Sequence, residues 1–357
     1  MIAFVLGTRP EIIKCAPVIH EAHRRGVPFA IVHTGQHYSP GLDEMFFREL
    51  DLPQPTHNIH VGSLPPAKQI AAMLNGLHDV FTELKPRIVM VQGDTNTVLG
   101  GALAAHKMGI KVAHLEAGLR SDDWDMPEEA NRVLTGVVAD YHFCPTEVQR
   151  ERLNRETIVD GVHVVGNTIV DAALYYAKVA ATKSDILSRL NIENRPYALL
   201  TMHRPNNVDD PARLRAMLDA ISGAATAHGL SVVFPIHPRT ASVMKAAGIT
   251  LSDPFITTEP LGYLDTLRLQ SKAAIILTDS GGIQEEACIL HVPSITLRPN
   301  TERPETLRIG ASVLFHEPDV AVLTDLIKKQ MSLSRDWENP FGDGKTSVRV
   351  LDILTKE

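Results

Sequence analysis

Two carboxylates follow consecutive apolar runs in the first half of the sequence. Asp94 ends the run "IVMVQGD", and Glu116 lies within "VAHLEAG". Neighbouring carboxylates in a cleft push each other's pKa values apart, which allows one site to hold both a general acid and a general base. Alone, either residue could cap a helix or accept a structural hydrogen bond. Together, at the ends of two successive predicted strands, they predict proton-transfer chemistry.

The stretch "LTDSGGIQEE", residues 277–286, has the form of a diphosphate cradle. Ser280 is a candidate N-cap. Gly281 and Gly282 allow a ligand to approach the backbone where the next helix begins, and the free N–H groups and dipole of that helix attract anions. Glu286, in the next turn, could reach a ribose hydroxyl. The alternative is a helix cap without a ligand, although paired glycines weaken a helix.

A second candidate phosphate contact is "GTRPE", residues 7–11, which follows the first predicted strand. The planar guanidinium of Arg9 suits phosphate, and Lys14 lies about one and a half turns further along the helix. A strand-to-helix turn with solvated charges is the alternative. The sequence contains neither a Walker A loop nor a GxGxxG fingerprint, which argues against nucleoside triphosphate hydrolysis and a standard dinucleotide site.

The segment "MPEEANR", residues 126–132, is locally typical of an ordinary helix start. Pro127 suits the first helical position, acidic residues suit the first turn, and Glu128 with Arg132 has the spacing of an i, i+4 ion pair. Glu128 also follows Glu116 within a short loop. It could therefore bring a third carboxylate into the same cleft.

Two of the 16 histidines stand out by position. His203, in "TMHRPNN", and His237, in "FPIHPR", each follow a predicted strand of the second half and lie beside an arginine. Histidine is the side chain most easily tuned for proton transfer near neutral pH. No HExxH or comparable spacing suggests a zinc site.

The composition indicates a globular enzyme with two domains. The chain has 357 residues, 44% of them hydrophobic, which is too long for one core of usual size. A net charge of -7 argues against a protein built to hold nucleic acid or an anionic membrane. No apolar run approaches the roughly 20 residues of a membrane span, and the opening "IAFVL" is predicted to be a buried strand rather than a secretion signal. Three separated cysteines fit a reducing cytoplasm.

Apolar, β-branched runs alternate with helical periodicity and predict two consecutive parallel αβα units, dividing near residues 167–171. Ile70, Leu74, Leu77, Phe81 and Leu84 have the spacing of a helix that packs on a sheet. The predicted strands lie in "IAFVLG", "FAIVHTG", "IVMVQGD", "VAHLEAG", "YHFCPT", "VHVVGN", "YALLTMHR", "VVFPIHP", "FITTEP", "AAIILTDSGG" and "PSITLR". Because the polar candidates follow strands, a ligand is expected in a cleft between the two sheets.

Taken in order, nine motifs resemble the non-hydrolysing UDP-N-acetylglucosamine 2-epimerases over almost the whole chain. They are "GTRPE", "GQH", "GDT", "HLEAGLR", "PEEANR", "HR", "HPR", "DSGGIQEE" and "TERPE". The resemblance implies an α/β fold like the B-type glycosyltransferases, with two Rossmann-like domains and a ligand cleft between them. The implied domains are 1–168 and a UDP-binding domain of 169–339, with a final helix, about 340–357, that returns to the first domain.

The resemblance also implies interconversion of UDP-GlcNAc and UDP-ManNAc by anti elimination of UDP through 2-acetamidoglucal, followed by re-addition. It implies a cytoplasmic homodimer that acts on a UDP-sugar, with no metal, nicotinamide, nucleic acid or membrane partner. The implied catalytic residues are Asp94, Glu116, Glu128 and His203. The implied contacts to UDP and sugar are Arg9, Lys14, Arg132, His237, Ser280, Gly281, Gly282, Glu286 and Arg303.

Several related functions remain as alternatives at this stage. The nearest is a C2 epimerase of a modified sugar such as UDP-2,3-diacetamido-glucuronate, which needs the same chemistry. A UDP-sugar-dependent glycosyltransferase would share the fold and the cradle but would not need Asp94, Glu116 and Glu128 together. A hydrolysing epimerase would release free UDP, and an inactive nucleotide-sugar sensor would have lost the carboxylates. The chain also departs from many bacterial members at Pro205, where they have a second arginine.

Overall fold

The computed structural model describes residues 1–36 and 40–356, and the side chains of 40–43 are not described. His37, in the "GQH" motif, therefore lies outside the described residues. The chain divides into two compact units. Unit 1 comprises Met1–Ala172 and the segment from Phe341 onward, and unit 2 comprises Ala173–Pro340. No helix in the described ranges combines the length and apolar character that crossing a membrane requires.

Unit 1 is built on a seven-stranded parallel sheet with the order β3-β2-β1-β4-β5-β6-β7. The strands are β1 (Ile2–Leu6), β2 (Phe29–His33), β3 (His57–Asn58), β4 (Ile88–Gln92), β5 (Lys111–Leu115), β6 (Tyr141–Cys144) and β7 (Val162–Val164). The helices are α1 (Arg9–Arg24), α2 (Pro40–Glu49), α3 (Pro66–Leu84), α4 (Asn96–Lys107), α5 (Pro127–Val138) and α6 (Glu147–Arg155). Helix α7 (Thr168–Lys183) begins in this unit.

Unit 2 has a six-stranded parallel sheet with the order β10-β9-β8-β11-β12-β13. Its strands are β8 (Tyr197–Thr201), β9 (Ser231–Pro235), β10 (Phe255–Thr258), β11 (Ile275–Thr278), β12 (Ser294–Thr296) and β13 (Ser312–Leu314). Its helices are α8 (Ile186–Arg189), α9 (Pro205–Val208), α10 (Pro211–Ala227), α11 (Pro238–Ala246), α12 (Tyr263–Lys272), α13 (Gly281–Ile289), α14 (Pro304–Arg308) and α15 (Val320–Met331). The last helix of the chain, α16 (Thr346–Thr355), belongs to unit 1.

The predicted strands and the α/β class are confirmed, because the apolar runs form strands that helices cover on both faces. Every residue of β1 and of β4 is buried, as continuous apolar runs require. The predicted sheet-packing helix is α3, which places Leu77 and Phe81 in the core of unit 1. Strand β3 was not predicted, because its two residues, His57 and Asn58, are both polar, and β13 (Ser312–Leu314) was not predicted either.

In each sheet the strand order reverses at one point, and several candidate residues, among them Arg9, Asp94, His203 and Ser280, follow the strands at that point. In unit 1 the chain builds outward from β1 to β3 and then restarts at β4, on the other side of β1. In unit 2 it builds from β8 to β10 and restarts at β11. Open α/β sheets bind ligands outside the carboxyl ends of the strands at such a switch point.

Helix α4 packs unusually close to the sheet at the switch point of unit 1. A Cβ atom on Gly101 would lie 2.9 Å from Val91 Cγ1 and 3.2 Å from Val5 Cγ1. Those valines belong to β4 and β1, so a side chain at position 101 would push the helix away from both strands. The glycine therefore keeps the start of α4 beside the carboxyl ends of β1 and β4.

A buried carboxylate fastens the last helix within unit 1. Asp171 is 7% exposed. It accepts hydrogen bonds from the N–H groups of Thr346 (3.1 Å) and Ser347 (2.8 Å) and from the Ser347 hydroxyl (2.7 Å). These two N–H groups open α16 and have no partner inside the helix. Asp171 therefore ties the end of the chain to the segment that precedes unit 2.

We expect Asp171→Ala to destabilise the docking of α16 by about 2–3 kcal/mol, because it leaves buried N–H groups without acceptors. The amide protons of α16 should then exchange with D2O markedly faster than in the wild-type protein. Asp352→Ala is a matched control on the same helix, because the half-exposed ion pair of Asp352 with Arg25 contributes about 1 kcal/mol or less. Wild-type protection of α16 in Asp171→Ala would contradict the assignment.

Candidate functional site

Asp94 lies just after β4 and is bound by an arginine of α5. Arg132 donates to Asp94 Oδ2 from Nη2 (2.6 Å) and from Nε (2.9 Å). The pKa of Asp94 is raised, chiefly by burial. The negative charges of Glu116 and Glu128 raise it further, whereas the charge and hydrogen bonds of Arg132 lower it. Glu116 and Glu128 thus both lie within electrostatic reach of Asp94. The Asp94 side chain remains 30% exposed, so a ligand can reach it.

Glu116 follows β5 and is surrounded by donors. Lys14 Nζ lies 2.6 Å from Glu116 Oε1, and Asn167 Nδ2 donates to the same oxygen at 2.8 Å. Gln92 Nε2 donates to Oε2. The backbone of Glu116 is left-handed, with φ = 62°, which costs about 1–2 kcal/mol for a residue other than glycine. Such strain is typical of functional positions, and the donors stabilise the ionised carboxylate.

The two glutamates at the start of α5 have different environments. Glu129 is buried and accepts from the N–H groups of Ser121 (2.9 Å) and Asp122 (3.1 Å). It also pairs with Arg132 at 2.7 Å, so the ion pair forms at i, i+3. Glu128 is partly exposed and takes part in none of the hydrogen bonds or ion pairs of the described residues. Its carboxylate is therefore available for proton exchange.

Arg9 and Lys14 begin the first helix of the unit but point to different neighbours. The Arg9 guanidinium lies over the Phe46 ring, 5.4 Å from its centroid, and forms no ion pair within 1–36 and 40–356. Lys14 is buried on Glu116. Arg9 thus has free donors for an anion, whereas Lys14 neutralises a carboxylate.

A buried carboxylate, Glu11, lies behind the loop that carries Arg9. Its Oε2 accepts from the N–H groups of Gly7 (2.5 Å) and Thr8 (3.1 Å), and its Oε1 accepts from the Thr95 hydroxyl. Burial raises the pKa of Glu11 to about 7, and the hydrogen bonds from Thr95, Gly7 and Thr8 oppose that rise.

In unit 2, His203 follows β8 and contacts a fully buried aspartate that follows the neighbouring strand β11. His203 Nδ1 lies 3.0 Å from Asp279 Oδ1. The N–H groups of His203 and Arg204 donate to Asp279 Oδ2 at 2.9 and 2.8 Å. Burial alone would raise the pKa of Asp279, but hydrogen bonds from His203 and the backbone lower it. Asp279 therefore fixes the His203 ring, and the His237 ring lies 5.2 Å away.

The predicted phosphate cradle has the expected helix start. Ser280 is the N-cap of α13, and its hydroxyl accepts from the N–H of Ile283 at 3.5 Å. A Cβ on Gly281 would meet only Glu302 Oε2 at 3.9 Å, and one on Gly282 only Ser280 Oγ at 3.9 Å. The chain's own packing therefore does not require glycine at either position. The space they leave is suited to a ligand at the N–H groups of the helix.

The three remaining predicted contacts of unit 2 form hydrogen bonds within that unit. Glu286 is buried and accepts from Gln270 Nε2 at 2.6 Å. Arg303 donates from Nε to the buried carboxylate of Glu285. His237 is exposed and caps α11.

Sequence reasoning missed the residues that position the predicted ones. Asp279 could have been predicted from the sequence, because it directly follows a predicted strand and precedes Ser280. Gln92, Asn167 and Glu129 had no distinctive signal, since amides and helix-start glutamates are common. Among the described residues, no group of three or more His, Cys, Asp or Glu side chains is arranged to hold a metal ion.

In sequence and in structure, the chain is similar to known UDP-sugar 2-epimerases. The model of the UDP-N-acetylglucosamine 2-epimerase family matches residues 20–355. The chain is 45% identical to the UDP-N-acetylglucosamine 2-epimerase of Methanocaldococcus jannaschii, over 99% of this chain and 98% of that protein. The crystal structure of the M. jannaschii enzyme in complex with UDP-GlcNAc and UDP matches with a TM-score of 0.90 and 45% identity, covering 100% of this chain and 99% of that one. The UDP-2,3-diacetamido-2,3-dideoxy-D-glucuronate 2-epimerase of Pseudomonas aeruginosa is 36% identical, over 99% of this chain and 98% of that protein.

We expect Glu11 to make the stability of the protein fall as pH rises from 4.5 to 7. In that window the folded protein keeps a proton on Glu11 that the unfolded chain has released, since the pKa is about 7 when folded and 4.5 otherwise. The loss amounts to roughly 3 kcal/mol across the window. Glu11→Gln should lack this decline when free energies of unfolding in urea are compared at several pH values.

Glu21→Gln is the matched control for Glu11→Gln, because Glu21 is a second buried glutamate of α1. A hydrogen bond from Arg24 lowers the pKa of Glu21, so its contribution is lost only below pH 4.5. Between pH 4.5 and 7 this variant should parallel the wild-type protein. If Glu11→Gln also parallels it, Glu11 does not hold a proton in the folded state.

Proposed function

The chain belongs to the UDP-N-acetylglucosamine 2-epimerase family, and we propose that it interconverts UDP-GlcNAc and UDP-ManNAc without hydrolysing them. The observation that carries the proposal is a group of three carboxylates. Asp94 and Glu116 follow the adjacent strands β4 and β5, Glu128 lies in the first turn of α5, and the charges of Glu116 and Glu128 both act on Asp94. A glycosyltransferase would not need this group. The UDP-GlcNAc and UDP bound to the M. jannaschii enzyme support the substrate class.

The chemistry explains why several proton-transfer groups are needed. The C2 hydrogen of the sugar is poorly acidic, so we propose that its removal accompanies loss of UDP from C1. The C2–H electron pair forms the C1=C2 bond of 2-acetamidoglucal, and the C1–O pair leaves with UDP. A diphosphate oxygen then adds back to C1 while C2 receives a proton on the opposite face. Protons thus leave and arrive on different faces, which requires two acid/base groups.

Glu128 is our candidate for direct proton transfer in unit 1. Its carboxylate has no partner in the described part of the chain, whereas Asp94 and Glu116 are bound to Arg132 and Lys14. Asp94 is a second candidate, because it combines exposure with a raised pKa. We assign Glu116 to the ionised form.

Unit 2 supplies the proposed UDP contacts and one further catalytic group. The departing diphosphate carries negative charge, which the free N–H groups of α13 and the side chains of His237 and Arg303 would stabilise. In unit 1, Arg9 has free donors and remains a proposed UDP contact. Asp279 holds Nδ1 of His203, which leaves Nε2 for substrate.

The proposal is tested by proton NMR of UDP-GlcNAc with the protein in D2O. Deuterium at C2 in both UDP-GlcNAc and UDP-ManNAc, as the mixture reaches equilibrium, would support it. Steady accumulation of free UDP with N-acetylmannosamine would show hydrolysis instead. An unchanged spectrum would refute UDP-GlcNAc as the substrate.

We expect Glu128→Gln to lower kcat by at least about 100-fold, because the amide cannot exchange a proton with C2. Turnover of UDP-GlcNAc is the measurement. Glu147→Gln is the matched control: Glu147 also opens a helix of unit 1 with an exposed first-turn carboxylate, so it reproduces any effect on the helix dipole. Near-normal turnover of Glu128→Gln would remove Glu128 from the mechanism.

A second candidate substrate is UDP-2,3-diacetamido-glucuronate, since the P. aeruginosa enzyme named for that sugar is 36% identical to the chain. Elimination at C1 and C2 is the same for both sugars. Comparing kcat/KM for the two substrates decides between them.

We also propose that the enzyme is a cytoplasmic homodimer that requires neither metal nor nicotinamide. The family resemblance supports this proposal. Sedimentation equilibrium tests the dimer, and full activity with EDTA and without NAD tests the cofactor requirement.

A further inference from the structure

Glu11 joins two loops that carry proposed site residues. Its carboxylate accepts from Gly7 and Thr8, directly before Arg9, and from the hydroxyl of Thr95, directly after Asp94. The loops follow β1 and β4, the paired strands at the switch point of unit 1. No other hydrogen bond between the described residues connects these two loops.

The hydrogen bonds at position 11 fit an ionised carboxylate, the form that Glu11 takes above its pKa of about 7. The two N–H groups need an acceptor at Oε2. The Thr95 hydroxyl accepts from the N–H of Val98 at 3.4 Å, as the N-cap of α4, and donates its own proton to Oε1 of the ionised carboxylate. A glutamine would offer an acceptor on one atom only. Glu11 is 1% exposed, so it acts on the reaction through its neighbours.

The Asp94 loop is also held from the opposite side. Asn131 Nδ2 donates to the backbone oxygen of Asp94 at 2.9 Å and to Asn96 Oδ1 at 3.2 Å. Asn131 belongs to α5, which also carries Arg132. Glu11 therefore connects the loop that carries Asp94 to the loop that carries Arg9.

We propose that Glu11 and Thr95 form a clamp that sets the position of Arg9 relative to Asp94, and thereby keeps UDP aligned with 2-acetamidoglucal between elimination and re-addition. The inference rests on the proposed function. C2 and the diphosphate oxygen are separated only by C1, so Arg9 on the phosphate and Asp94 near C2 must keep a fixed distance. A misplacement of about 1 Å costs on the order of 100-fold in rate. A loose clamp would let the two intermediates escape before they recombine.

The test uses Thr95→Val, which removes the hydroxyl and keeps the side-chain shape. Proton and phosphorus NMR in D2O would measure free UDP and 2-acetamidoglucal released per deuterium incorporated at C2. We expect this ratio to rise at least about tenfold in Thr95→Val and to return to the wild-type value in Thr95→Ser. Above pH 7, where Glu11 is ionised, Glu11→Gln removes one acceptor from the same contact and should raise the ratio as well.

Thr146→Val is the matched control, because Thr146 is likewise a threonine N-cap in unit 1, on α6. It removes a helix cap without touching the clamp and should keep the wild-type ratio. The clamp is overturned if Thr95→Val keeps that ratio, if Thr95→Ser fails to restore it, or if Thr146→Val raises it equally. A loss of stability alone lowers all products together and leaves the ratio unchanged. If the wild-type protein exchanges no deuterium at C2, the proposed function fails, and the clamp fails with it.

Discussion

The site of unit 1 depends on the burial of a carboxylate beside a lysine. Lys14 and Glu116 lie 2.6 Å apart, with side chains that are 9% and 5% exposed. Taking two charges out of water costs several kcal/mol per ion, and losing one partner leaves the other uncompensated, which typically costs about 3–5 kcal/mol. Such a pair contributes little net stability. Its value lies in fixing an ionised carboxylate at the end of β5 with one orientation.

Other candidate residues are likewise oriented by charged side chains that are buried or nearly buried. Arg132 neutralises Asp94 and is itself oriented by Glu129, whose carboxylate also satisfies the loop between β5 and α5. In unit 2, Asp279 plays the corresponding part for His203, since it is fully buried and receives backbone and side-chain donors. In each unit, a partly exposed candidate for proton exchange contacts a largely buried charged side chain, Arg132 beside Asp94 and Asp279 beside His203. The buried charge supplies rigidity, and the exposed group stays accessible.

The strands and the polar residues that follow them could be predicted from the sequence, whereas the pairing of side chains between strands could not. Parallel strands buried on both faces produce continuous apolar runs, so β1, β4, β5 and their polar ends were identifiable. Side-chain pairing depends on strand order, which periodicity does not reveal. Lys14, a predicted phosphate contact, pairs with Glu116 in a way that periodicity did not indicate, because β4 alone separates β1 from β5 in the sheet. The buried partner of Arg132 is Glu129 rather than Glu128, because the loop before α5 needs an acceptor at that position.

Reversibility adds a constraint on the proposed chemistry. A group that removes the C2 proton in one direction must return it in the other, so neither protonation state can be strongly favoured. A carboxylate bound by several donors, such as Glu116, is poorly suited to that exchange and well suited to stabilising positive charge nearby. Asp94 is different, because burial and the neighbouring charges of Glu116 and Glu128 raise its pKa against the pull of Arg132. The charges of Glu116 and Glu128 thus bring the pKa of Asp94 closer to the range in which a carboxyl group can both gain and lose a proton.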